Sequence, residues 1–500
     1  MQLKQLIQQI STLSVEGPLD REVAGITYDS RRVTPGMIFV AIPGQNHDGH
    51  NFINMAIDRG AAAIICERNG FSSHRSAKIK VADSREVLAQ ISSLFYQNPA
   101  SKLKMIGVTG TNGKTTIAFL VKQMLEAAGI KTGLISTVRY EIGDRVIPAH
   151  RTTPESLEIQ QMLSQMLRAD CRACVMEVSS HALDQKRVAG IQFDVGIFTN
   201  LTQDHLDYHG TMDAYFEAKK KLFAGIAEGS REGRTVINID DSFGARLRRE
   251  MRPEIQLTYG IDQAATVRAT QIHLGATETT MVVETAAQNF SCHLPLIGRH
   301  NVYNALAAVG AGLALKLDTL VIKNALATMQ PVPGRLERVS RGQPFGVFVD
   351  YAHTDDALRN VLKTLREISD GRVLLAFGCG GSRDTGKRAK MGLVAAELAD
   401  YTIITSDNPR KESAAVIASQ IEAGFKSFRA EGCQVELDRR RAIQEIVRMA
   451  RPGDIVLIAG KGHETYQEFE DTVVPFDDRI YAAESLENLG WSTQAKGRAA

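Results

Sequence analysis

The sequence holds no run near the roughly 18 uninterrupted apolar residues that a membrane-spanning helix needs, so no segment of it is expected to insert into a bilayer. It has almost no net charge. The 59 Lys and Arg residues against 57 Asp and Glu leave +2, so no global field favours nucleic acid or an anionic surface, and any anion binding must be local. Cysteine is scarce: Cys66, Cys171, Cys174, Cys292, Cys379 and Cys433 are scattered through 500 residues. Only Cys171 and Cys174 form a C-x-x-C pair, and without a second pair they read as reduced structural thiols rather than a zinc or redox site. Repeats and low-complexity tracts are also missing. The opening MQLKQLIQQISTLSVEG puts Leu3, Leu6, Ile7 and Ile10 at helical spacing among polar residues, which predicts a surface helix and no signal peptide. A cytoplasmic protein is expected.

What is there is an ordinary globular composition, 44% hydrophobic and 23% charged. The length exceeds one core, and at about 100–200 residues per domain three domains are expected. The first hundred residues alternate short β-like runs, Met37 to Ile42 and Ala62 to Cys66, with a helical pattern from Phe52 to Arg59 and a helix that stops near Asn98-Pro99. From Lys104 a strand runs into a glycine-rich turn and a helix, and strand-helix alternation continues to about Val332. Pro331-Val332-Pro333-Gly334 has hinge composition. Beyond it VFVDYAHT, VLLAFGCGG, YTIITSDNPR and DIVLIAGKGHE each end an apolar β run in a polar loop, separated by helical patterns such as Lys390 to Leu398 and Arg441 to Met449. This is the rhythm of a doubly wound parallel sheet, in which all four loops can face one crevice.

Three features carry chemistry. Thr109 to Thr116, TGTNGKTT, lies between an apolar strand and a helical run, the setting in which backbone amides and a helix N-terminus hold phosphates. Lys114 would reach the terminal phosphates and Thr115 a magnesium ion. The strict G-x-x-x-x-G-K-S/T pattern fails because Val108 stands at its first glycine. Glu177, ending CVMEVSSH, and His205, in NLTQDHLDYHG, follow two further strands and supply candidate magnesium ligands. Lys219 lies on the apolar stripe of Met212, Tyr215, Phe216, Leu222 and Phe223, with Thr211 as the N-cap, while Lys220 and Lys221 point elsewhere. Two readings are open. The pattern alone favours a packed stem whose ammonium reaches water; the other is a lysine whose burial lowers its pKa so that the neutral amine takes up carbon dioxide as a carbamate.

The motifs TGTNGKTT, EVSSHALDQKRV, TNLTQDHLDYHGTMDAYFEAKKKLF, GRHNVYNALAA, VPGRLERV, DYAHT, FGCGGSRDTGKR, SDNPR and GKGHETYQ, with YDSRRVTPGMIFVAIPG near the start, resemble in content and order those of the Mur ligases. The resemblance implies an α/β protein of three domains: a UDP-binding module over 1–99, a central ATPase with a mostly parallel sheet over 100–333, and a Rossmann-like domain for the amino acid over 334–500. It implies an ATP-dependent ligase of peptidoglycan synthesis, acting with Mg2+, that joins meso-2,6-diaminopimelate to UDP-MurNAc-L-Ala-D-Glu, and a monomer.

By the same resemblance Lys219 is N6-carboxylysine, holding magnesium with Thr115, Glu177 and His205. ATP is met by Gly110, Thr111, Asn112, Gly113, Lys114, Thr115 and Thr116, by Asn301, and by Arg335, Asp350 and His353. The UDP-peptide is met by Ser30, Gln45, Asn46, His47, Thr152, Thr153, Ser179, Gln185 and Arg187. Diaminopimelate, with two carboxylates and two ammonium groups, needs guanidinium forks and carboxylates, and falls to Arg383, Asp407, Asn408, Pro409, Arg410, Gly460 and Glu464. Arg410 ends the D-N-P-R motif that marks diaminopimelate enzymes of the family. Asp355, Ser382, Ala389, Ser413 and Ala414 depart from the family pattern around that pocket.

The implied mechanism is attack of the D-glutamyl side-chain carboxylate on the γ-phosphate, then of the amine on the acyl phosphate, with domain closure excluding water. Lysine addition and a folylpolyglutamate-synthetase-like activity are the enzymatic alternatives, opposed by DNPR and by the DSR motif respectively. A catalytically silent nucleotide-binding regulator is the alternative of another class, opposed by the joint presence of Lys114, Glu177, His205 and Lys219.

Overall fold

The computed structural model describes residues 1–44, 47–68, 74–229, 232–275, 277–369 and 371–492. The chain divides into two compact units, Met1–Val267 with Ala307–Ile322, and Arg268–Leu306 with Lys323–Ala500.

The first unit contains two sheets. The smaller has the order Ser14–Glu16, Ala77–Lys80, Ala63–Cys66, Met37–Val40, Gly25–Thr27, parallel except at the Ser14–Glu16 edge. Its inner strands Met37–Val40 and Ala63–Cys66, with Gly25–Thr27, are short apolar runs buried on both faces, as parallel sheets require. The predicted surface helix is only Leu3–Ile7, and Leu3, Leu6 and Ile7 are buried in this core rather than lying along the surface. Polar residues at the intervening positions disguise an anchoring turn.

In the larger sheet the strands Gln256–Gly260, Arg234–Asn238, Val195–Phe198, Lys104–Thr109, Ala173–Glu177 and Thr132–Ile135 run parallel in that order. Lys104–Thr109 lies between strands that come later in the chain on both sides, the reversal point at which open α/β sheets bind ligands. The register pairs Val108 with Glu177 and Thr109 with Phe198, so the phosphate-loop strand and the Glu177 strand end at one edge. Cys171 and Cys174 are free, buried thiols packed in the core beside this sheet.

The second unit holds the sheet Glu337–Arg338, Gly346–Asp350, Ile455–Ala459, Val373–Phe377, Tyr401–Ile404, Cys433–Val435, parallel apart from its first pair. Asp355–Ile368, Gly386–Leu398 and Ala414–Lys426 cover one face, and Arg439–Arg448 and Asp478–Asn488 the other. Asp350 and Phe377 both pair with Ala459, and Phe377 pairs with Ile404. The four polar loops therefore leave one edge of the sheet.

Candidate functional site

The phosphate-loop geometry follows from its glycines. Gly110 has φ +148°, and a Cβ there would lie 1.8 Å from Thr199 Oγ1; Gly113, at φ +85°, turns the chain into the helix Lys114–Ala127. No side chain caps that helix, which leaves its N-terminus suited to an anion. The loop is pinned from the neighbouring strand: Thr199 Oγ1 donates to Asn112 O at 2.6 Å, Thr111 N to Asn200 O at 2.8 Å and Asn112 N to Asn200 Oδ1 at 2.9 Å. Thr115 and Thr116 are buried in the first helical turn. Lys114 folds over the loop, its ammonium on the carbonyls of Gly110 (3.1 Å) and Thr111 (2.7 Å).

Glu177 is fully buried at the end of its strand. Its carboxylate accepts from Thr115 Oγ1 at 3.0 Å, Thr137 N at 2.9 Å and Thr137 Oγ1 at 3.2 Å. Its backbone carbonyl accepts from Thr153 Oγ1 at 2.8 Å. Thr137 Oγ1 also meets Thr152 Oγ1 (3.0 Å), and Ser179 donates its N–H to Thr153 Oγ1 (3.1 Å) while its hydroxyl caps the helix Ser180–Asp184. Arg187 donates to Thr153 O (2.8 Å) and Gln185 Oε1 (2.7 Å). Gln185 and Arg187 line a cleft of about 430 Å³ with Pro43, Arg85, Arg151, Glu155 and Tyr208. Ser30 is buried in the turn Ser30–Arg32, its hydroxyl 3.4 Å from Met55 Sδ, and His47 is exposed. Gln45 and Asn46 lie outside the described residues.

Lys219 is 1% exposed, so its ammonium does not escape to water as the pattern alone favours. It donates to Gly110 O at 2.8 Å and lies 4.5 Å from the centre of the Tyr215 ring. Desolvation, and secondarily the charge of Lys114, holds its pKa well below the ordinary lysine range. Lys220 and Lys221 turn away, to Glu250 and Asp184. His205, at φ +53°, sets its ring edge-on to His181 and to the Tyr215 ring that also carries Lys219. Desolvation, with Lys114 and Lys219, keeps its pKa below the usual histidine value, which favours the neutral ligating form.

A magnesium ion takes oxygen donors, and Thr115 and Glu177 fit it, in contact and buried beside the phosphate loop. Lys219 fits only as a carbamate, since an ammonium has no lone pair to offer. Among the described residues no three His, Cys, Asp or Glu side chains form a metal cluster, so the set depends on that threonine and that lysine.

In the second unit Asn301 and Arg335 line one small cavity of about 50 Å³ with Ile297, Leu336 and Phe348. Asn301 is buried, donating its amide N–H to Ile297 O (2.9 Å) and accepting from Asn304 Nδ2 (2.9 Å), and Arg335 lies over the Tyr351 ring. Asp350 accepts the N–H groups of Leu336 (2.7 Å) and Ala352 (2.8 Å), so both its oxygens organise the loop backbone; burial pushes its pKa up. His353 is exposed, with Nδ1 2.9 Å from Tyr351 O.

Asp407, Asn408, Pro409 and Gly460 are buried at the strand ends. Asn408 donates to Glu464 Oε2 (2.9 Å), and Asp407 Oδ1 accepts Asn408 N (2.7 Å). Gly460, at φ +110°, has no room for a Cβ beside Asp407 Oδ2. Arg410 is fixed by Glu468 Oε2 (2.8 Å) and Gly381 O (2.9 Å), and Arg383 is exposed.

The profiles of three domains match the chain: the Mur ligase family catalytic domain over residues 22–96, the Mur ligase middle domain over 108–312 and the Mur ligase glutamate ligase domain over 334–462. A relative from Solibacter usitatus (strain Ellin6076), named UDP-N-acetylmuramoyl-L-alanyl-D-glutamate--2,6-diaminopimelate ligase, is 46% identical over 94% of each chain. The chain belongs to the Mur ligase family. A relative of the same name from Geobacillus thermodenitrificans (strain NG80-2) is 44% identical over 96% of this chain and 98% of its own. A solved structure of a ligase of that name superposes with a TM-score of 0.70 at 30% identity, covering 98% of this chain and all of the other. The fold extends to a MurF ligase from Thermotoga maritima in complex with ADP, at TM-score 0.60 and 20% identity over 94% and 96% of the two chains.

The positions read in the sequence as departures from the family pattern lie mostly at helix starts. Asp355 is the first residue of Asp355–Ile368, behind the Thr354 cap, and Ser413 and Ala414 open Ala414–Lys426. Proline and aspartate both suit a first helical turn, one by its fixed φ and the other by its charge. Ala389 lies in Gly386–Leu398, and Ser382 takes φ +53°. Sequence reasoning missed Thr137, which holds Glu177, and Lys461, fully buried between Asn408 Oδ1 (3.0 Å) and Glu464 Oε2 (2.9 Å). A lysine in a glycine-rich loop carries no sign of burial.

Proposed function

We propose that the chain is the ATP-dependent ligase that joins meso-2,6-diaminopimelate to the D-glutamyl residue of UDP-MurNAc-L-Ala-D-Glu through an acyl phosphate, as a cytoplasmic monomer in peptidoglycan synthesis. The observation that carries the reading is Glu177. Its carboxylate is on Thr115 of the phosphate loop, and its carbonyl is on Thr153, whose own carbonyl accepts from Arg187 in the arginine-lined cleft. That continuity supports a site where an acidic acceptor in the cleft meets a nucleotide phosphate.

Three functional domains are assigned, 1–99 for the UDP-sugar with Ser30 and Gln45 to His47, 100–333 for ATP and 334–500 for the amino acid; the three profile matches support the division. Lys114 and the helix N-terminus behind Gly113 take the phosphates. Thr115, Glu177, His205 and Lys219 as its carbamate would hold Mg2+, which when bound supplies positive charge against the phosphate oxygens. By the family resemblance Asn301, Arg335, Asp350 and His353 are assigned to the nucleotide. Thr152, Thr153, Ser179, Gln185 and Arg187 orient the peptide. Arg383, Arg410, Asn408 and Glu464 read the amino acid, Arg410 as a fork whose direction Glu468 fixes.

The test is ADP release by the purified protein with UDP-MurNAc-L-Ala-D-Glu and meso-diaminopimelate, L-lysine or neither. Release with diaminopimelate alone, with the matching tripeptide product, is expected. Release with lysine alone overturns the pocket assignment, and no release with either overturns the ligase reading.

A further inference from the structure

Lys461 is fully covered, and its ammonium meets two side chains of the amino-acid region. It follows the strand Ile455–Ala459 and lies between two positive-φ glycines, Gly460 at +110° and Gly462 at +53°. A Cβ on Gly462 would lie 2.7 Å from Tyr351 Cβ, so the backbone that carries the lysine is closely packed and its course depends on glycine. Lys461 Nζ donates to Glu464 Oε2 at 2.9 Å and to Asn408 Oδ1 at 3.0 Å, with the centre of the Tyr466 ring 5.4 Å away.

The two oxygens of Glu464 are treated differently. Oε2 accepts twice, from Lys461 and from Asn408 Nδ2 at 2.9 Å, whereas none of the described residues hydrogen-bonds Oε1, and the side chain remains 18% exposed. Asn408 cannot turn its amide over. Its Oδ1 lies between two donors, Lys461 Nζ and Glu468 N at 3.1 Å, and reversal would set donor against donor at both. Glu464 is therefore clamped along one edge with the other edge left for a donor. Packing alone gives no reason for an ammonium at this place, because a buried ion pair is often no more stabilising than apolar groups of the same volume.

We infer that Lys461 is a positioning residue that aims Glu464 Oε1 at the ammonium on the non-reacting end of the incoming amino acid. The inference rests on the proposed function, in which Glu464 reads the amino acid, and extends it to a residue outside the assigned set. A diamino acid uses one amine as nucleophile and keeps the other as a cation, and a carboxylate oxygen is an acceptor suited to that cation. Left free, the carboxylate would meet an ammonium in many places; clamped through Oε2, it meets one in a single place. The carboxylate end of the ligand is served separately, since Arg410 is held by Glu468 Oε2 (2.8 Å) and Gly381 O (2.9 Å), neither of which Lys461 touches. Lys461 acts on the ammonium alone, and it does so without meeting the ligand.

The experiment crosses Lys461→Met and Glu464→Gln, singly and together, with two amino acids. One is meso-diaminopimelate, and the other is L-2-aminopimelate, which carries hydrogen in place of the ammonium at the non-reacting end and is measured by its inhibition constant against diaminopimelate. The wild type is expected to bind diaminopimelate more tightly. Lys461→Met should raise KM for diaminopimelate about tenfold, keep kcat within about threefold and change the inhibition constant of aminopimelate by less than about twofold, so that discrimination falls about tenfold. Glu464→Gln should lose the same discrimination, and adding Lys461→Met to it should cost no more, because the lysine acts only through that carboxylate. Lys461→Gln, which keeps a donor, should retain part of the discrimination. Unfolding midpoints check the fold, and Lys461→Gln carries the comparison if Lys461→Met lowers its midpoint. Unchanged discrimination, an equal loss of both amino acids, additive losses in the double variant or a wild type that does not prefer diaminopimelate overturns the inference. Wild-type inactivity with diaminopimelate, ATP and the nucleotide peptide would instead overturn the proposed function, which separates the two failures.

Discussion

Lys219 donates a side-chain N–H to the carbonyl of Gly110 at 2.8 Å from a fully covered position, which ties the middle of a long helix to the first glycine of the phosphate loop. A pKa held well below the ordinary lysine value leaves the amine neutral at a lower pH than a surface lysine, and the neutral amine is the form whose lone pair attacks carbon dioxide, losing a proton to solvent as the carbamate forms. Activity is therefore expected to depend on bicarbonate, and a carbamate carbon should appear by 13C NMR in wild type but not in Lys219→Met. That variant should lose about a hundredfold or more in kcat, on the scale of removing one preorganised charge. Its stability should not fall. Because the unfolded chain binds the proton that the folded lysine releases, wild-type stability rises with pH between the lowered and the ordinary pKa. Denaturant titrations should show this slope diminished in Lys219→Met.

Arg410 gives a specificity prediction. At φ +52° its backbone hydrogen-bonds to Glu468, and its guanidinium is held by Glu468 Oε2 and Gly381 O, so its remaining donors point in a set direction. Arg410→Gln is expected to lower kcat/KM for diaminopimelate about ten- to a hundredfold, the worth of charge-assisted hydrogen bonds. KM for ATP and for the nucleotide peptide should stay as they are. Glu468→Gln should shift diaminopimelate kinetics the same way by less, since it frees the fork without removing it.

Local geometry was legible in the sequence wherever one segment determined it. The phosphate loop, the Thr211 cap that accepts Ala214 N at 3.1 Å and the four strand-end loops all follow from adjacent residues. What the sequence could not carry is the pairing of distant segments. Thr137 meets Glu177 from 40 positions away, and Lys461 meets Asn408 from 53. Glu155 gathers arginines from either side of itself with no periodicity to announce it. The fate of Lys219 was undecidable from its stripe, because a snorkelling and a buried lysine occupy the same helical positions until the neighbouring loop is in place. Asp350 adds a structural task that its place at a strand end does not announce: its oxygens hold the N–H groups of Leu336 and Ala352.

His300 predicts an acid limit to stability in the second unit. Burial lowers its pKa to about 4 from an ordinary value of 6.5, and its Nδ1 lies 3.3 Å from Thr364 Oγ1. The folded state holds it neutral while the unfolded chain protonates it. Stability is therefore complete above the unfolded pKa and declines as pH falls from 6.5 toward 4, by up to about 3 kcal/mol. Urea unfolding at several pH values should show this dependence weakened in His300→Gln, whose amide can still meet Thr364.

The pair Arg439 and Asp478 predicts strong non-additivity. Both side chains are fully buried and joined by two bonds of 2.7 Å, and the remaining guanidinium donors reach Ser406 O (3.2 Å) and Ala459 O (3.0 Å). Those carbonyls immediately precede Asp407 and Gly460, so the pair ties together two strand-end loops of the amino-acid region. Asp478→Asn leaves a buried guanidinium without its counter-charge and should cost about 3–5 kcal/mol in denaturant titrations. Arg439→Met alone should cost a similar amount by stranding the carboxylate. The double variant Arg439→Met with Asp478→Leu removes both charges and should be less destabilised than either single variant, a coupling that two independent structural contacts would not produce. It should still raise KM for diaminopimelate, because the carbonyls before Asp407 and Gly460 have lost the donor that held them.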